Sequence, residues 1–354
     1  MEAALQRAWL RRGPTALALW PLSVVFKTVV ALRRALYRWR LLKPQVLPVP
    51  VVVVGNLIAG GAGKTPTVMA VVRRLQACGH HPGIISRGHG RRHDALPVRE
   101  VRPTTPAAEV GDEPLLLLLR LDVPVFVGVD RVAAARAALA AHPDIDVLVS
   151  DDGLQHLRLP RVAQVVVFDE RGVGNGWLLP AGPLREPMTP HAPPNTVVLY
   201  NAAQPSTAWP GHLATRQLAG LVSLAEWWAG RAATMPCLAA LATSMTRVTA
   251  AAGIVQPARF FDMLRAAGLA ITPLPLPDHH DYATLPWPAD ATDVVVTEKD
   301  AVKLRPERLA TAGAPTRVWV APLDFSADAA FYAALQAVLP THFTIRTPDG
   351  NPTA

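Results

Sequence analysis

The chain has 354 residues, 50% of them hydrophobic and 18% charged, a balance that excludes a disordered polypeptide and leaves length for two domains with large cores. Its net charge of +8 is local: nine of the 35 basic residues and one of the 27 acidic ones lie in the first 50 positions, so the remainder holds 26 of each and is neutral. This excludes a surface built to coat nucleic acid, and the two distant cysteines, Cys78 and Cys237, fit neither a disulfide framework nor a zinc pattern and point to a reducing cytoplasm.

Residues 1–45 read as one basic amphipathic segment. Leu22, Val25, Val29, Leu32, Leu36 and Trp39 step by three and four along one helical face, with Lys27, Arg34 and Arg38 roughly opposite. Such a helix can pack on a core, or it can lie on an anionic membrane, each base contributing about 1 kcal/mol near the head groups. The concentration of bases favours the membrane. The uncharged run between Arg12 and Lys27 is 14 residues and holds Pro14 and Pro21, short of the ~20 that a span needs. No small-residue cleavage site precedes the next strand, so a peripheral or monotopic helix is expected.

Val51 to Val54 are four β-branched residues in a row, the pattern of a parallel strand buried on both faces. The strand runs into GNLIAGGAGKTPT, residues 55–67. Gly60, Gly61 and Gly63 let successive N–H groups turn inward, and Lys64 and Thr65 open a helix whose positive end faces the same point. Gly60, Gly61, Ala62, Gly63, Lys64, Thr65 and Pro66 thus form a triphosphate cradle, with Lys64 on the β and γ phosphates and the Thr65 hydroxyl on Mg²⁺. The strict phosphate-loop pattern asks for glycine at position 58, where this chain has Ile58. The strand–loop–helix context and the glycines nearer the lysine preserve the mechanism.

Strand and helix then alternate: a helix over 65–78, strands at 82–86, 123–129, 146–150, 164–168 and 196–200, and an alanine-rich helix at 132–141. That alternation predicts a doubly wound, mostly parallel α/β sheet, with ligands at the carboxyl ends of its strands. Asp151 and Asp152 follow one such strand, where phosphate-loop enzymes place a carboxylate on Mg²⁺, although an N-cap or Asx turn uses the same residues. Asp112 and Glu113, in GDEP before a leucine run, fit a site or a helix-dipole partner equally. The loop GNGWLLPAGPLREP, 174–187, lies between Arg171 and Arg185, which can bind phosphate or anchor the loop to carboxylates. A smaller α/β domain is expected over 196–354, closing on a core of 46–195. Its loop Asp278-His279-His280-Asp281 lacks a third ligand at metal spacing, so general acid/base chemistry suits one of its histidines better than a metal.

Taken together, GNLIAGGAGKTP, SRGHG at 86–90, GDEP at 111–114, SDDGLQH at 150–156, LPAGPLREP at 179–187, DHH at 278–280 and TEKDAVKL at 297–304 resemble the tetraacyldisaccharide 4'-kinase family, in order from about residue 20 to 340. The resemblance implies ATP- and Mg²⁺-dependent phosphorylation of the 4'-hydroxyl of a tetraacylated glucosamine disaccharide 1-phosphate in lipid A synthesis. It places the chain at the anionic cytoplasmic face of the bacterial inner membrane, without nucleic acid as a partner. By the same resemblance Asp112 is the catalytic aspartate, assisted by His279 rather than His280, and Lys64 serves transfer. Thr65, Glu113, Asp151 and Asp152 attend the metal, and His89, Gln155, His156, Arg171, Asn175 and Arg185 attend the substrate. One departure is His89, where the family usually has tyrosine; an imidazole can still stack. A rival from another class is a phosphate-loop switch ATPase or GTPase of the partitioning or metallo-chaperone type, which pairs the same loop with a basic membrane helix.

Overall fold

Four consecutive valines have no polar side to offer water, and in the structure, a computed structural model describing residues 7–92, 96–244, 247–311 and 316–340, they sit at the centre of a sheet. The chain opens with α1 (Pro14–Arg38), β1 (Val51–Gly55), α2 (Lys64–Ala77), β2 (Pro82–Ser86), β3 (Val98–Glu100), α3 (Ala107–Val110) and α4 (Asp112–Leu121). It continues through β4 (Val125–Gly128), α5 (Arg131–Ala141), β5 (Val147–Asp151), β6 (Ala163–Asp169), β7 (Thr196–Asn201) and β8 (His212–Leu218). Then follow β9 (Val222–Ser223), α6 (Leu224–Trp228), α7 (Met235–Thr243), β10 (Val248–Ala252), α8 (Pro257–Ala266) and β11 (Ile271–Pro275). Last come β12 (Asp293–Val296), α9 (Glu298–Ala301), α10 (Pro306–Thr311), β13 (Arg317–Val320), β14 (Leu323–Ala327) and α11 (Ala329–Val338).

The main sheet has nine strands in the order β14-β8-β7-β6-β1-β5-β2-β4-β3. All internal pairings are parallel, and only the two edges, β3 on β4 and β14 on β8, are antiparallel. Val52 and Val54 feed one core and Val51 and Val53 the other, so the run is buried on both faces as its composition requires. A second sheet, β11-β10-β12-β13-β9, carries its own core around Phe260, Phe261 and Leu264. Its opposite face, with Val294, Val296 and Val320, joins the core of the first sheet.

This arrangement moves the expected boundary at residue 196. β7 and β8 extend the first sheet, and after the second sheet the chain returns as β14 and α11 to close its edge. The second layer is therefore an insertion of roughly residues 222–320 rather than a terminal domain.

α1 runs unbroken through Pro21 and Lys27, and by length and composition it is long and apolar enough to cross a membrane, which the 14-residue uncharged run did not anticipate. Its predicted stripe is not core: Leu22, Val25, Val29, Leu32 and Trp39 are 56–63% exposed. The opposite side meets the 174–187 loop. Ser23 donates to Leu178 O at 2.8 Å and accepts from Ala181 N at 2.9 Å, Trp9 Nε1 donates to Pro180 O, and Arg34 pairs with Glu186.

Candidate functional site

The glycine loop leaves the carboxyl end of β1, and three side chains, one at the end of β7, one just after β6 and one within β8, hold its carbonyls from behind. Asn201 Nδ2 donates to Ala62 O at 2.8 Å, Arg171 Nη2 to Gly61 O at 2.9 Å and Arg216 Nη2 to Ala62 O at 3.4 Å. With the carbonyls turned to the scaffold, the loop N–H groups are left for a ligand. Gly60 and Gly63 have φ of +88° and +80°, and a Cβ on Gly63 would run into the Arg216 guanidinium and the Asn201 amide. Ile58, at the position where the strict pattern wants glycine, is fully buried and bridges to Leu184, while Ala59 N donates to Pro183 O at 2.8 Å. The first half of the loop is thus packed, and the turning is done at Gly60 and beyond. α2 starts at Lys64 with no acidic residue in its first turn and no side-chain cap, so its positive end is unspent. Lys64 Nζ donates to Asn56 Oδ1 at 3.4 Å and lies 3.9 Å from Asp152.

Three carboxylates feel the charge of Lys64. Asp151, at the end of β5 beside Val54, is buried; its Oδ2 accepts from Ser86 Oγ at 3.1 Å and its Oδ1 has no partner. Burial and the neighbouring charges of Glu113 and Asp152 raise its pKa against the pull of Lys64. Asp152, at φ +54°, receives Arg185 Nη1 on both oxygens, at 2.8 and 2.9 Å. Glu113 pairs with Lys299, and although desolvation works the other way, Lys299 and Lys64 hold it down at about 2. An orphan oxygen among crowded carboxylates fits a divalent cation. Among the described residues no group of three or more His, Cys, Asp or Glu is placed to hold a metal ion by itself.

Asp112 opens α4 one residue before Glu113 and is buried. Its Oδ2 accepts from His279 Nδ1 at 3.0 Å and from Lys303 Nζ at 3.1 Å. Burial would raise this carboxyl, but the His279 hydrogen bond and the Lys303 charge outweigh it and lower the pKa. His279 is raised in turn, first by its hydrogen bond to Asp112. The backbone of His279 is left-handed, φ +58°, which turns its ring to Asp112, whereas His280 packs edge-on against Tyr282 with ring centroids 4.9 Å apart. The adjacent histidines diverge, and only His279 reaches the aspartate. His89 lies 3.3 Å from His279, Nδ1 to Nε2.

Other residues expected at the substrate are committed elsewhere. Asn175 Nδ2 donates to Ala181 O at 2.8 Å, and to Ala8 O and Arg11 O, and its Oδ1 accepts from Trp177 N; this amide docks the N-terminal segment. Arg171 is spent on Asp169 and Gly61 O, and Arg185 on Asp152, so both anchor loops. Gln155 Nε2 donates to Glu186 Oε1 at 2.9 Å. His156 lies 3.9 Å from Asp130, and burial, then Arg131, draws its pKa down to about 4.

Lys299 and Lys303, which reach Glu113 and Asp112, are marked in the sequence only by TEKDAVKL, which sets them four apart just after β12, the spacing of one helical face. Asn56 and Ser86 lie inside quoted motifs without a role of their own there, and Asn201 and Arg216 carry no local signal. A cavity of about 1070 Å³ opens between the loop and the second sheet, bordered by Lys64, Arg120, Arg216, Arg259, Phe260 and Tyr332.

Comparison with known proteins adds a lineage to this geometry. A family model described as Tetraacyldisaccharide-1-P 4'-kinase matches residues 15–340. A Tetraacyldisaccharide 4'-kinase of Leptothrix cholodnii is 56% identical over 354 residues, covering 99% of this chain and 98% of the relative. Another, of Methylibium petroleiphilum, is 56% identical over 340 residues, covering 96% and 94%. Among solved structures, a crystal structure described as an "apo" form of LpxK from Aquifex aeolicus in complex with ATP superposes with a TM-score of 0.72 at 24% identity, covering 91% of this chain and 99% of that one. At that identity the likeness speaks for the fold.

Proposed function

The chain belongs to the tetraacyldisaccharide-1-P 4'-kinase family, and from that premise we propose how its residues divide the work of a lipid A 4'-kinase. The γ-phosphoryl group of ATP passes to the 4'-hydroxyl of a tetraacylated glucosamine disaccharide 1-phosphate. The observation that carries the assignment of roles is the contact of Asp112 with His279, 167 residues away, next to a glutamate that feels both Lys64 and His279.

A sugar hydroxyl is a poor nucleophile near neutral pH, and Asp112, ionised and hydrogen-bonded on one oxygen, accepts its proton as the phosphoryl group transfers. His279 and Lys303 hold that carboxylate in place and charged. Lys64 and the N-terminus of α2 take the developing negative charge of the phosphates. Thr65, Asp151, Asp152 and Glu113 are the residues that would hold Mg²⁺, which when bound offsets phosphate charge.

The exposed apolar stripe of α1 supports a seat on the cytoplasmic face of the inner membrane, where a substrate with four acyl chains must be met. Contacts from Trp9 to Arg34 keep α1 alongside the protein body, which favours a helix lying on the surface. The test is incubation with ATP, Mg²⁺ and the disaccharide 1-phosphate, followed by mass analysis of the lipid. A gain of one phosphate is expected, and release of free phosphate with the lipid unchanged would overturn the reading in favour of a switch ATPase.

A further inference from the structure

Arg216, on β8 opposite Phe325 of β14, borders the cavity beside the glycine loop and has no anion. Among the described residues no carboxylate comes within ion-pairing distance of it, its one hydrogen bond is the long contact with Ala62 O at 3.4 Å, and its Nε is buried without a partner. The neighbouring arginines differ: Arg171 is paired with Asp169, and Arg259 with Glu170. A guanidinium offers five N–H donors in a planar fork, and shielding it from water without a partner is costly. Burial, reinforced by the charge of Arg259, pulls it down to about 10, so it is still a cation at neutral pH.

Its position narrows the ligand. The guanidinium rests against Gly63, where any Cβ would strike it, at the start of the helix whose N-terminus faces the phosphates. The charges that reach it are those of Arg259, Asp169 and Glu170, whereas Lys64 interacts with Glu113, Asp151 and Asp152. Arg216 therefore lies beside Gly63, the residue before Lys64, but outside the group of charges that joins Lys64 to Glu113, Asp151 and Asp152. We propose that Arg216 binds the α-phosphate end of the donor nucleotide's triphosphate, as a positioning group that governs nucleotide affinity and takes no part in the transferred γ-phosphoryl group. This rests on the reading of the cleft as the ATP site.

The test uses the full chain, with nucleotide affinity measured by calorimetry for ATP and ADP without acceptor. Arg216→Met is expected to weaken both nucleotides in parallel by about 10- to 100-fold, the span of a lost charge-assisted contact to phosphate. KM for ATP should rise accordingly, with kcat at saturation changed far less. Arg216→Lys should recover part of the affinity, since it restores charge without the fork. The nucleotide-free Tm should stay near wild type, while the Tm gain on adding ADP shrinks. Unchanged affinity in both variants would overturn the proposal. So would a loss confined to ATP with ADP unaffected, which would put Arg216 at the γ-phosphate, or a fall in nucleotide-free Tm with affinity intact, which would make it a scaffold. If the wild-type chain bound neither nucleotide, the reading of the cleft would fail first and this proposal with it.

Discussion

Replacing Asp112 by asparagine keeps the shape of the side chain and removes the proton acceptor. The carboxylate is held between His279 Nδ1 at 3.0 Å and Lys303 Nζ at 3.1 Å. At 3.1 Å and an effective dielectric of about 20, Lys303 alone attracts it by about 5 kcal/mol before desolvation is subtracted. Lys303 retains Asp300 at 3.4 Å in the variant, so the net loss of fold stability should stay below the 3–5 kcal/mol of a fully broken buried pair. Catalysis should suffer more. Loss of a general base costs about 10²- to 10⁴-fold in kcat, or about 3–5.5 kcal/mol of barrier. His279→Ala removes the group that orients the same carboxylate, so Asp112→Asn/His279→Ala should be little slower than Asp112→Asn alone, as expected of residues acting as one unit. The assay is transfer of labelled γ-phosphate to the lipid in mixed micelles at saturating ATP, with Tm measured on each variant so that rates refer to folded protein. If the two single losses multiply in the double variant, the residues act independently and the dyad is refuted.

Other outcomes follow from the same geometry. Lys64→Ala should lower kcat by at least about 10²-fold with little change in Tm, because its charge is needed most as phosphate charge develops; wild-type turnover would remove the phosphate-loop assignment. His156 is depressed from 6.5 to about 4, first by burial and then by Arg131. Above pH 6.5 neither state binds the proton, and as pH falls toward 4 the unfolded chain takes it up and the folded one does not, so stability is lost across that window. His156→Gln should spare roughly 1–2 kcal/mol of that loss at pH 5 after allowing for screening, read as a smaller change in urea midpoint between pH 7 and pH 5 than in wild type; equal changes would contradict the burial argument. Replacing Arg33, Arg38 and Arg40 by glutamine, and sparing Arg34 because it pairs with Glu186, should weaken binding to anionic vesicles by up to about 150-fold at low salt, at about 1 kcal/mol per base. The deficit should shrink as salt rises, and vesicle sedimentation showing no difference at low salt would move the membrane contact elsewhere.

What could be read from the sequence alone was what depends on neighbours in the chain. Four valines in succession require burial on both faces, a glycine loop followed by lysine and threonine requires a strand before and a helix after, and the ordered motifs select one kinase family; all of these hold in the fold. The stripe on α1 was legible as a stripe, but a core and a membrane demand the same periodicity, and only the tertiary structure shows that its side chains stay exposed among the described residues. Sheet membership was illegible at β7, β8 and β14, because a strand's composition reports how buried it is and not which strand it pairs with. Asn175 and Arg185 look like ligand groups in a glycine- and proline-rich loop, yet the carbonyls of the N-terminal segment and the charge of Asp152 claim them first. Asp112, His279 and Lys303 meet across as many as 191 residues, and Asn201 and Arg216 reach the loop from β7 and β8 with no motif of their own. Such contacts are set by the order in which strands pair, and that order is fixed by the whole core rather than by any stretch of sequence that holds the residues involved.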